Sequence, residues 1–365
     1  MEVMSATNPA EGKPGLILAK LQPENMETPL NVLNTWVVPN ELFYIRNHFL
    51  YPNIDLATWS LTIGGQVNRQ LSLNYEQLSK MPQVSKHITF ECAGNKRSFL
   101  EPPVSGEQYG IGAVGNAKWT GVSLSYLLDQ AGIGDGVKEL IFTGADFGQR
   151  PDMTGVFNYQ RSLPFQKELL SECLLALKMN DQPLPFKHGA PVRLVVPGWY
   201  AMANVKWLTG ISASVDSFQG PFQAVDYVYL EREDDYKNAV PVTTIKINSV
   251  ITWPSKGEVL KPGVHVIKGL AWTGKGKIAK VSVSTDDGTN WTTATLTSPE
   301  HQQYTWTFWE YTWTVYSVGH YSIMAKAEDS EGQQQPRVSR WNAKGYGNNM
   351  MHQVPVSIPG TPVLH

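Results

Sequence analysis

The pattern of polar and apolar residues changes near residue 235, and this change limits the folds that the chain can adopt. After the charged run EREDDYKN (231–238), apolar and polar residues alternate, and turns separate the runs. KVSVSTDDGTNWTTATL (280–296) places Asp287-Gly288 between two alternating runs, which is a strong hairpin signal. Short strands at this spacing without helices predict a β-sandwich of roughly 100 residues.

The chain before this point mixes helix-like and strand-like patterns. LSLNYEQLSKM (71–81) and SLSYLLDQAG (123–132) predict helices, and ELIFTGADF (139–147) predicts a buried strand. Residues 100–121 are rich in proline and glycine without periodicity, which predicts a long functional loop. A length of 365 residues favours two domains. We therefore predict a flexible segment over 1–30, an α+β catalytic domain over 31–235 and a β-sandwich over 240–365.

Composition excludes several classes of function. A net charge of −2 without a long basic stripe argues against nucleic-acid binding. No apolar run is long enough to span a bilayer, which predicts no membrane association. The polar N-terminus lacks the features of a secretory signal, which predicts a cytoplasmic protein, or a periplasmic one if the sequence is a processed form. Only two cysteines occur, without CxxC or HExxH, which argues against disulfide scaffolds and zinc proteases.

The run ITFECAGNKRS places Cys92 in a turn after a strand, just before the cations Lys96 and Arg97. Positive charge lowers the pKa of a cysteine, so this context predicts a stabilised thiolate. A thiolate beside cations can serve as a nucleophile, a redox switch or a soft metal ligand. A buried, inert cysteine is the competing interpretation. A single ligand of this kind needs further donors, and a bound cofactor is the economical source.

Several motifs in order resemble the sulfite oxidase family of molybdenum enzymes, which includes the molybdenum domain of eukaryotic nitrate reductase. FECAGNKRS is similar to the stretch that carries the family's metal-ligating cysteine. The other matching segments are FYIRNH (43–48), GAVGNAKWTGVSL, MNDQPLPFKHGAPVRLVVPGWY, NVKWL, FQAVDY (222–227) and GLAWTGKGKIAKVSVSTDDGTNW. The resemblance covers about residues 30–350. It implies a mixed α/β molybdopterin-binding fold followed by an immunoglobulin-like dimerisation domain.

The resemblance also implies the site. One molybdopterin would hold the molybdenum, and Cys92 would add a thiolate. Arg46 and Arg97 would bind the oxyanion, because planar guanidiniums match it with paired hydrogen bonds. Tyr227 would add a neutral donor. The expected pterin and phosphate contacts are His48, Asp146, His188, Arg193 and Lys206. For the two histidines, a structural hydrogen-bonding role is the alternative.

This sequence departs from the family at the predicted substrate pocket. Tyr109, which is also expected among the catalytic residues, stands where animal and plant sulfite oxidases have a pocket tryptophan, and Ser105 stands near where they have a lysine. Gln353 aligns loosely with a C-terminal substrate-side arginine. Lys96 replaces an arginine, which keeps the charge but loses the planar fork. These changes weaken an anion pocket, so the substrate is less certain than the cofactor.

The resulting hypothesis is a homodimeric, haem-free enzyme that oxidises sulfite to sulfate by oxo transfer at a molybdenum centre. Its electrons would pass to a cytochrome-type protein or to dioxygen. The nearest alternative is a nitrate-reducing or other oxyanion-reducing relative. A more distant alternative is a cofactor-free binding protein in which Cys92 is a core residue. Asp286 and Asp287 are interpreted as turn formers.

Overall fold

The computed structural model describes residues 15–298 and 303–360. Two compact units make up the chain. The first contains the residues up to Pro29, Val37–Thr244 and Trp341–Gly347, and the second contains Leu30–Trp36, Ile245–Arg340 and the residues from Asn348 onward. Within the described ranges, no helix is long and apolar enough to cross a membrane.

The N-terminal segment that was predicted to be flexible is ordered over the part that the structure describes. Residues 1–14 lie outside the described residues. Strands β1 (Ile17–Lys20) and β2 (Asn25–Glu27) then pair antiparallel. Asn25 is completely buried, and the Glu27 carboxylate accepts backbone N–H groups of Gly110 and Gly112. The prediction of flexibility is therefore wrong for residues 15–30, because these buried polar contacts attach the segment to the first unit.

Over its described residues, the first unit contains two five-stranded sheets and three short helices. Its further strands are β3 Ser60–Gly65, β4 Leu71–Asn74, β5 Gln83–Glu91, β6 Val114–Ser123, β7 Glu139–Arg150, β8 Met153–Pro164, β9 Leu174–Met179, β10 Gln182–Pro183, β11 Arg193–Val195, β12 Leu208–Ser214, β13 Val228–Tyr229 and β14 Val240–Pro241. Its helices are α1 Tyr75–Ser79, α2 Leu124–Ala131 and α3 Lys167–Glu172. One sheet has the order β10-β9-β6-β5, with β11 also on β9, and the other has the order β4-β3-β12-β7-β8. The two-stranded sheets β1-β2 and β13-β14 complete the unit.

Two elements of the first unit differ from the sequence prediction. The helix predicted over 71–81 is confined to α1, because Leu71 and Leu73 alternate as buried residues of β4 and Asn74 caps the helix start. The loop predicted over 100–121 ends at Val114, where β6 begins and pairs with the whole length of β5. Glycines and an asparagine obscured this strand in the sequence.

In the part of the chain that the structure describes, the second unit has two four-stranded antiparallel sheets. Its strands are β15 Asn248–Trp253, β16 Gly263–Trp272, β17 Ile278–Ser284, β18 Thr292–Thr293, β19 Thr295–Leu296, β20 Thr307–Val315, β21 Gly319–Asp329 and β22 His352–Ile358. The sheet orders are β15-β16-β20-β19 and β18-β17-β21-β22. Apolar residues of both sheets, among them Ile267, Trp309 and Ile323, form one shared core. The predicted sandwich is confirmed.

The predicted hairpin in this unit is also confirmed. Strands β17 and β18 pair antiparallel. Asp287 and Gly288 connect them with φ values of 58° and 84°, a left-handed conformation that favours Gly, Asn and Asp. Asp286 accepts the backbone N–H of Asn290, so both aspartates act as turn formers.

Candidate active site

Cys92 follows directly after β5 and begins a tight turn. Its backbone N–H donates to the carbonyl of Ala113 at 2.9 Å, and its carbonyl accepts the N–H of Asn95 at 2.9 Å. The Asn95 side chain donates to Glu91 Oε1 at 3.0 Å and accepts the N–H of Ala113 at 3.1 Å. Lys96 continues the turn with a φ of 62°. These bonds fix the position of the buried thiol at the end of the strand.

The segment Phe43–His48 supplies the second part of the site. Arg46 donates to the backbone carbonyl of Asn47 and lies 3.5 Å from Oδ1 of Asn25. That same Asn25 oxygen accepts the backbone N–H of Asn47 at 2.7 Å. Lys206 donates to the Asn47 side chain. Asn47 therefore connects two cations that come from distant parts of the sequence.

His48 and Tyr227 are directly hydrogen-bonded, with 2.7 Å between Nε2 and the phenol oxygen. The His48 ring stacks on Tyr159 at a centroid distance of 4.6 Å. Tyr227 follows the π-helical turn Phe222–Asp226, which delivers the phenol to the same place as the histidine. The packing of these rings restricts both side chains to one arrangement.

Arg193 is the first residue of β11, and its guanidinium is buried. Nη1 donates to the carbonyl of His188 at 2.8 Å, and Nη2 donates to the carbonyl of Asn204 at 3.0 Å. The guanidinium also lies 4.8 Å from the ring centroid of Phe90. His188 Nε2 lies 2.9 Å from the carbonyl oxygen of Asn40. Arg193 thus holds two loops of the site together, as a charge inside an apolar strand requires.

Asp146 adds a single buried carboxylate from β7. Its Oδ1 has no hydrogen-bond partner among the described residues. Burial raises the pKa of Asp146 to about 6, although the nearby cation of Lys206 opposes this shift. A carboxyl group in this state is available to accept hydrogen bonds from a bound molecule.

These residues surround one cavity. Its wall brings together most of the predicted site residues: Arg46, His48, Cys92, Asp146, His188, Arg193, Lys206 and Tyr227. Four basic side chains, which are Arg46, Lys187, Arg193 and Lys206, line the cavity together with the single carboxylate of Asp146. The excess of positive charge indicates an anion-binding site.

The thiol of Cys92 is not a stabilised thiolate in the protein alone, contrary to the prediction. Burial raises the pKa of Cys92, and this effect exceeds the opposing influence of Arg46, the Gly94 N–H and Arg97. Lys96 interacts instead with Glu91, and burial lowers the pKa of Lys96 to about 8. Coordination to a metal ion removes the proton of a thiol outright, so the buried site still suits a metal ligand.

Both histidines of the cavity wall are held neutral. Burial lowers the pKa of His188 to about 3, and the cations Arg193 and Lys206 act in the same direction. Burial also holds the pKa of His48 well below its ordinary value, and Arg46 makes the largest contribution among the charges that act in the same direction. Neutral imidazoles each offer one donor and one acceptor to their neighbours.

Two predicted catalytic residues do not line the cavity. Arg97 donates to the carbonyl groups of Glu107 at 2.8 Å and Lys344 at 3.2 Å, and it lies over the ring of Tyr346. Tyr109 is completely buried, and its hydroxyl donates to the carbonyl of Ile45 at 3.1 Å. Backbone carbonyls bind Arg97 Nη1 and Nη2 and the Tyr109 hydroxyl, whereas Arg97 Nε has no hydrogen-bond partner among the described residues. Direct contact of these two residues with the substrate stays a prediction.

None of the other positions at which the sequence departs from the family, which are Lys96, Ser105 and Gln353, lines the cavity. Ser105 is exposed. Gln353 belongs to β22, where its side chain donates to Asp287 Oδ1 at 2.8 Å and to the hydroxyl of Ser322 at 2.7 Å. Its amide group is thus bound within the second unit.

Sequence reasoning missed several residues of the cavity wall. These are Tyr44, Asn47, Tyr159, Lys187, Asn204 and a set of smaller or apolar residues. Asn47 and Tyr44 lie inside the segment FYIRNH, and Lys187 precedes His188, so adjacency to predicted residues was the available signal. Tyr159 lies in β8, where nothing in the sequence distinguishes it from an ordinary buried aromatic residue.

The cavity fits the predicted cofactor. Within residues 15–298 and 303–360, no group of three His, Cys, Asp or Glu side chains is placed to hold a metal ion, so Cys92 needs ligands from a bound group. Buried polar atoms without a partner among these residues include Tyr44 Oη, Asp146 Oδ1, Arg193 Nε and Asn204 Nδ2. Such atoms normally have hydrogen-bond partners. A polar, anionic pterin would satisfy acceptors and donors of this kind.

Comparison with known proteins agrees with this chemistry. Residues 48–222 match the family model of the oxidoreductase molybdopterin binding domain. Residues 239–358 match that of the Mo-co oxidoreductase dimerisation domain.

The chain is similar along almost its whole length to proteins of known activity. It is 34% identical to sulfite oxidase of Gallus gallus, covering 93% of this chain and 77% of that protein. It is 30% identical to sulfite oxidase of Arabidopsis thaliana, covering 93% of each. The crystal structure of the sulfane dehydrogenase SoxCD from Paracoccus pantotrophus matches with a TM-score of 0.82 and 26% identity, covering 99% of this chain and 96% of that one.

Proposed function

Because the chain belongs to the sulfite oxidase family of molybdopterin-dependent oxidoreductases, we propose that it oxidises sulfite to sulfate. Membership confirms the predicted class of enzyme and the predicted cofactors, molybdenum and molybdopterin. It excludes the alternative of a cofactor-free binding protein. Sulfite as the substrate is the proposal, and relatives named sulfite oxidase support it.

The observation that carries the proposal is that Cys92, Arg46 and Tyr227 line the same cavity. A lone thiol without other protein ligands suits a metal that a cofactor brings with it. A guanidinium and a phenol beside that thiol suit an oxyanion, which they bind through a charge-assisted and a neutral hydrogen bond.

The remaining cavity residues would hold the cofactor. Lys206 and Arg193 would present positive charge to the pterin phosphate, and His188 would lie beside it as a neutral imidazole. Asp146 would accept hydrogen bonds from the amino edge of the pterin. His48 packs between Tyr159 and the cavity and holds the Tyr227 hydroxyl. When bound, the molybdenum cofactor supplies two-electron redox chemistry and oxygen transfer at sulfur.

The residues of the chain position the substrate for a balanced reaction. Sulfite and water give sulfate, two protons and two electrons. Arg46 stays protonated, because the phenols of Tyr227 and Tyr109 and the Cys92 thiol raise the pKa of Arg46 against the effect of burial. A fixed cation binds the dianion without a change of protonation state. Charges interact more strongly in a partly buried site than in bulk water, which favours this contact.

Steady-state assays of the holoprotein with sulfite and with nitrate test the proposal. We expect two-electron oxidation of sulfite that saturates with concentration, measured with ferricyanide as the acceptor. Reduction of nitrate by a viologen dye without sulfite turnover would instead support the oxyanion-reducing alternative. A protein loaded with molybdenum that turns over neither substrate would contradict both.

Two partner assignments accompany this proposal. The match of residues 239–358 to a dimerisation domain supports a homodimer. Light scattering on the holoprotein should give about twice the chain mass of 40.6 kDa. The two electrons leave to an acceptor, predicted to be a cytochrome-type protein or dioxygen. Turnover with oxidised cytochrome c but not with air-saturated buffer would identify the first.

A further inference from the structure

Arg161 is a buried cation that the proposed function does not yet use. It lies in β8 with 1% of its surface exposed. Nη1 donates to the backbone carbonyl of Phe222, whereas Nε and Nη2 have no hydrogen-bond partner among the described residues. No carboxylate of the described residues forms an ion pair with it. A buried charge with so few partners is costly, so its retention needs an explanation.

Arg161 lies against the segment that carries Tyr227. Its guanidinium carbon lies 5.3 Å from the centroid of the Tyr227 ring. Its one hydrogen bond is to Phe222, the first residue of the π-helical turn Phe222–Asp226 that precedes Tyr227. Arg161 therefore contacts both ends of this turn. Tyr227 also stacks on Tyr346, at 5.1 Å.

A neighbouring arginine shows what an ordinary structural partner would be. Arg150, from the other strand of the same hairpin, binds the Asp226 carboxylate with both Nη atoms, at 2.5 Å and 2.8 Å. It also binds Asp152 at 2.7 Å. Arg150 thus fixes the end of the turn as an ion pair. Arg161 has no comparable counter-ion and faces aromatic rings instead.

A guanidinium beside a phenol ring has a defined effect on that phenol. Cation–π attraction holds the ring in place. The positive charge also withdraws electron density, which strengthens the hydroxyl as a hydrogen-bond donor. Burial lowers the pKa of Arg161, but nearby phenols and Asp226 oppose this shift, and arginine keeps its charge in proteins.

We propose that Arg161 is a positioning residue that orients and polarises Tyr227, so that the Tyr227 hydroxyl donates to an oxyanion bound in the cavity. The inference rests on the proposed function, since it assigns Tyr227 the role of an oxyanion donor. Arg161 itself does not line the cavity. The proposal requires that its effect on anion binding pass through Tyr227, and this dependence separates it from a merely structural arginine.

A double-mutant cycle on the holoprotein tests this dependence. The variants are Arg161→Met, Arg161→Lys, Tyr227→Phe and the double variants, with the exposed Arg69→Gln as a matched control. The readouts are the dissociation constant of sulfate, measured by calorimetry without turnover, and KM and kcat for sulfite. Molybdenum content and thermal unfolding are measured for each variant to identify those that fail to fold.

We expect Arg161→Met to weaken sulfate binding and raise KM by about tenfold, with a smaller change in kcat. Arg161→Lys should recover part of the affinity, because it restores the cation. In the Tyr227→Phe background, Arg161→Met should change sulfate affinity by less than about twofold. If Arg161→Met does not fold, the double-mutant cycle with Arg161→Lys gives the same comparison, with a smaller expected change in sulfate affinity.

Two results would overturn the inference. One is unchanged sulfate affinity in both Arg161 variants. The other is an equal loss of affinity with and without the Tyr227 hydroxyl, which would show that Arg161 acts independently of it. A wild-type holoprotein that turns over no sulfite would overturn the proposed function, and the inference with it. Normal sulfite turnover by the wild type, together with a double-mutant cycle that shows no coupling between Arg161 and Tyr227, would overturn the inference alone.

Discussion

The phenol oxygen of Tyr227 lies 2.7 Å from Nε2 of His48, and this bond joins two segments that are far apart in the sequence. His48 remains neutral because burial and nearby cations lower its pKa. When Nε2 of the neutral imidazole carries the ring proton, it donates to the phenol oxygen and leaves the phenol proton free for an oxyanion. The pair therefore presents a fixed, uncharged hydroxyl at a cavity whose wall also contains the cations Arg46 and Arg193.

Removal of this hydroxyl should weaken catalysis and leave the cofactor in place. We expect Tyr227→Phe to lower kcat/KM for sulfite by about tenfold to a hundredfold, because one oxyanion donor is lost. Tyr159→Phe is the matched control. It stacks on the same histidine, but its hydroxyl donates to the carbonyl of Met202 at 2.7 Å. Equal kinetic losses in both variants, at equal molybdenum content, would contradict the assignment of Tyr227.

Arg46 should act mainly in substrate binding. Arg46→Gln removes the charge, and we expect KM for sulfite to rise by about tenfold to a hundredfold with a smaller fall in kcat. Arg46→Lys should be intermediate, because it keeps the charge without the planar fork. Initial-rate kinetics measure both parameters, with the exposed Arg69→Gln as a control. An unchanged KM in both variants would show that Arg46 does not bind the oxyanion.

His188 should make the cofactor-free protein sensitive to acid. Its pKa is about 3 in the folded state, because burial excludes the charged form, and about 6.5 when unfolded. The unfolded chain therefore binds a proton below about pH 6.5. The folded protein does not, so stability falls as the pH drops toward 3. Between pH 7 and pH 5 this contribution is about 2 kcal/mol.

The variant His188→Gln isolates this contribution from that of other groups. His48 acts in the same direction, and the raised pKa of Asp146 acts in the opposite one. Denaturant unfolding at both pH values should give a smaller loss of stability for His188→Gln than for the wild type. The same loss in both proteins would show that His188 is charged, or exposed, in the folded state.

The two-unit architecture and most of the cavity wall could be predicted from the sequence. The sandwich could be predicted because alternation and the Asp287-Gly288 turn are local signals. The family motifs placed Cys92, Arg46 and Tyr227 on one cavity, which local patterns alone could not do. These three residues come together only through pairing of strands that are far apart in the sequence.

Some properties of the site depend on what the folded chain places around a residue. Arg97 lies close to Cys92 in sequence, and carbonyls of Glu107 and Lys344 bind two of its donors. The pKa of Cys92 was predicted from neighbouring charges, whereas burial dominates it. The residues adjacent in sequence do not indicate the hydrogen-bond partners of Arg97 or the burial of Cys92. The sequence likewise gives no signal for Arg161, because its contacts with Phe222 and Tyr227 form only in the folded chain.

Molybdenum per chain, in the wild type and in Cys92→Ser, tests the central claim most directly. The control is Cys173→Ser, which changes the other buried cysteine, whose thiol donates to the carbonyl of Leu169. In a host that makes molybdopterin, we predict about one molybdenum per chain with sulfite turnover in the wild type and the control. Cys92→Ser should lose turnover and most of the metal. A wild-type protein without molybdenum, or a fully active Cys92→Ser enzyme, would contradict the account.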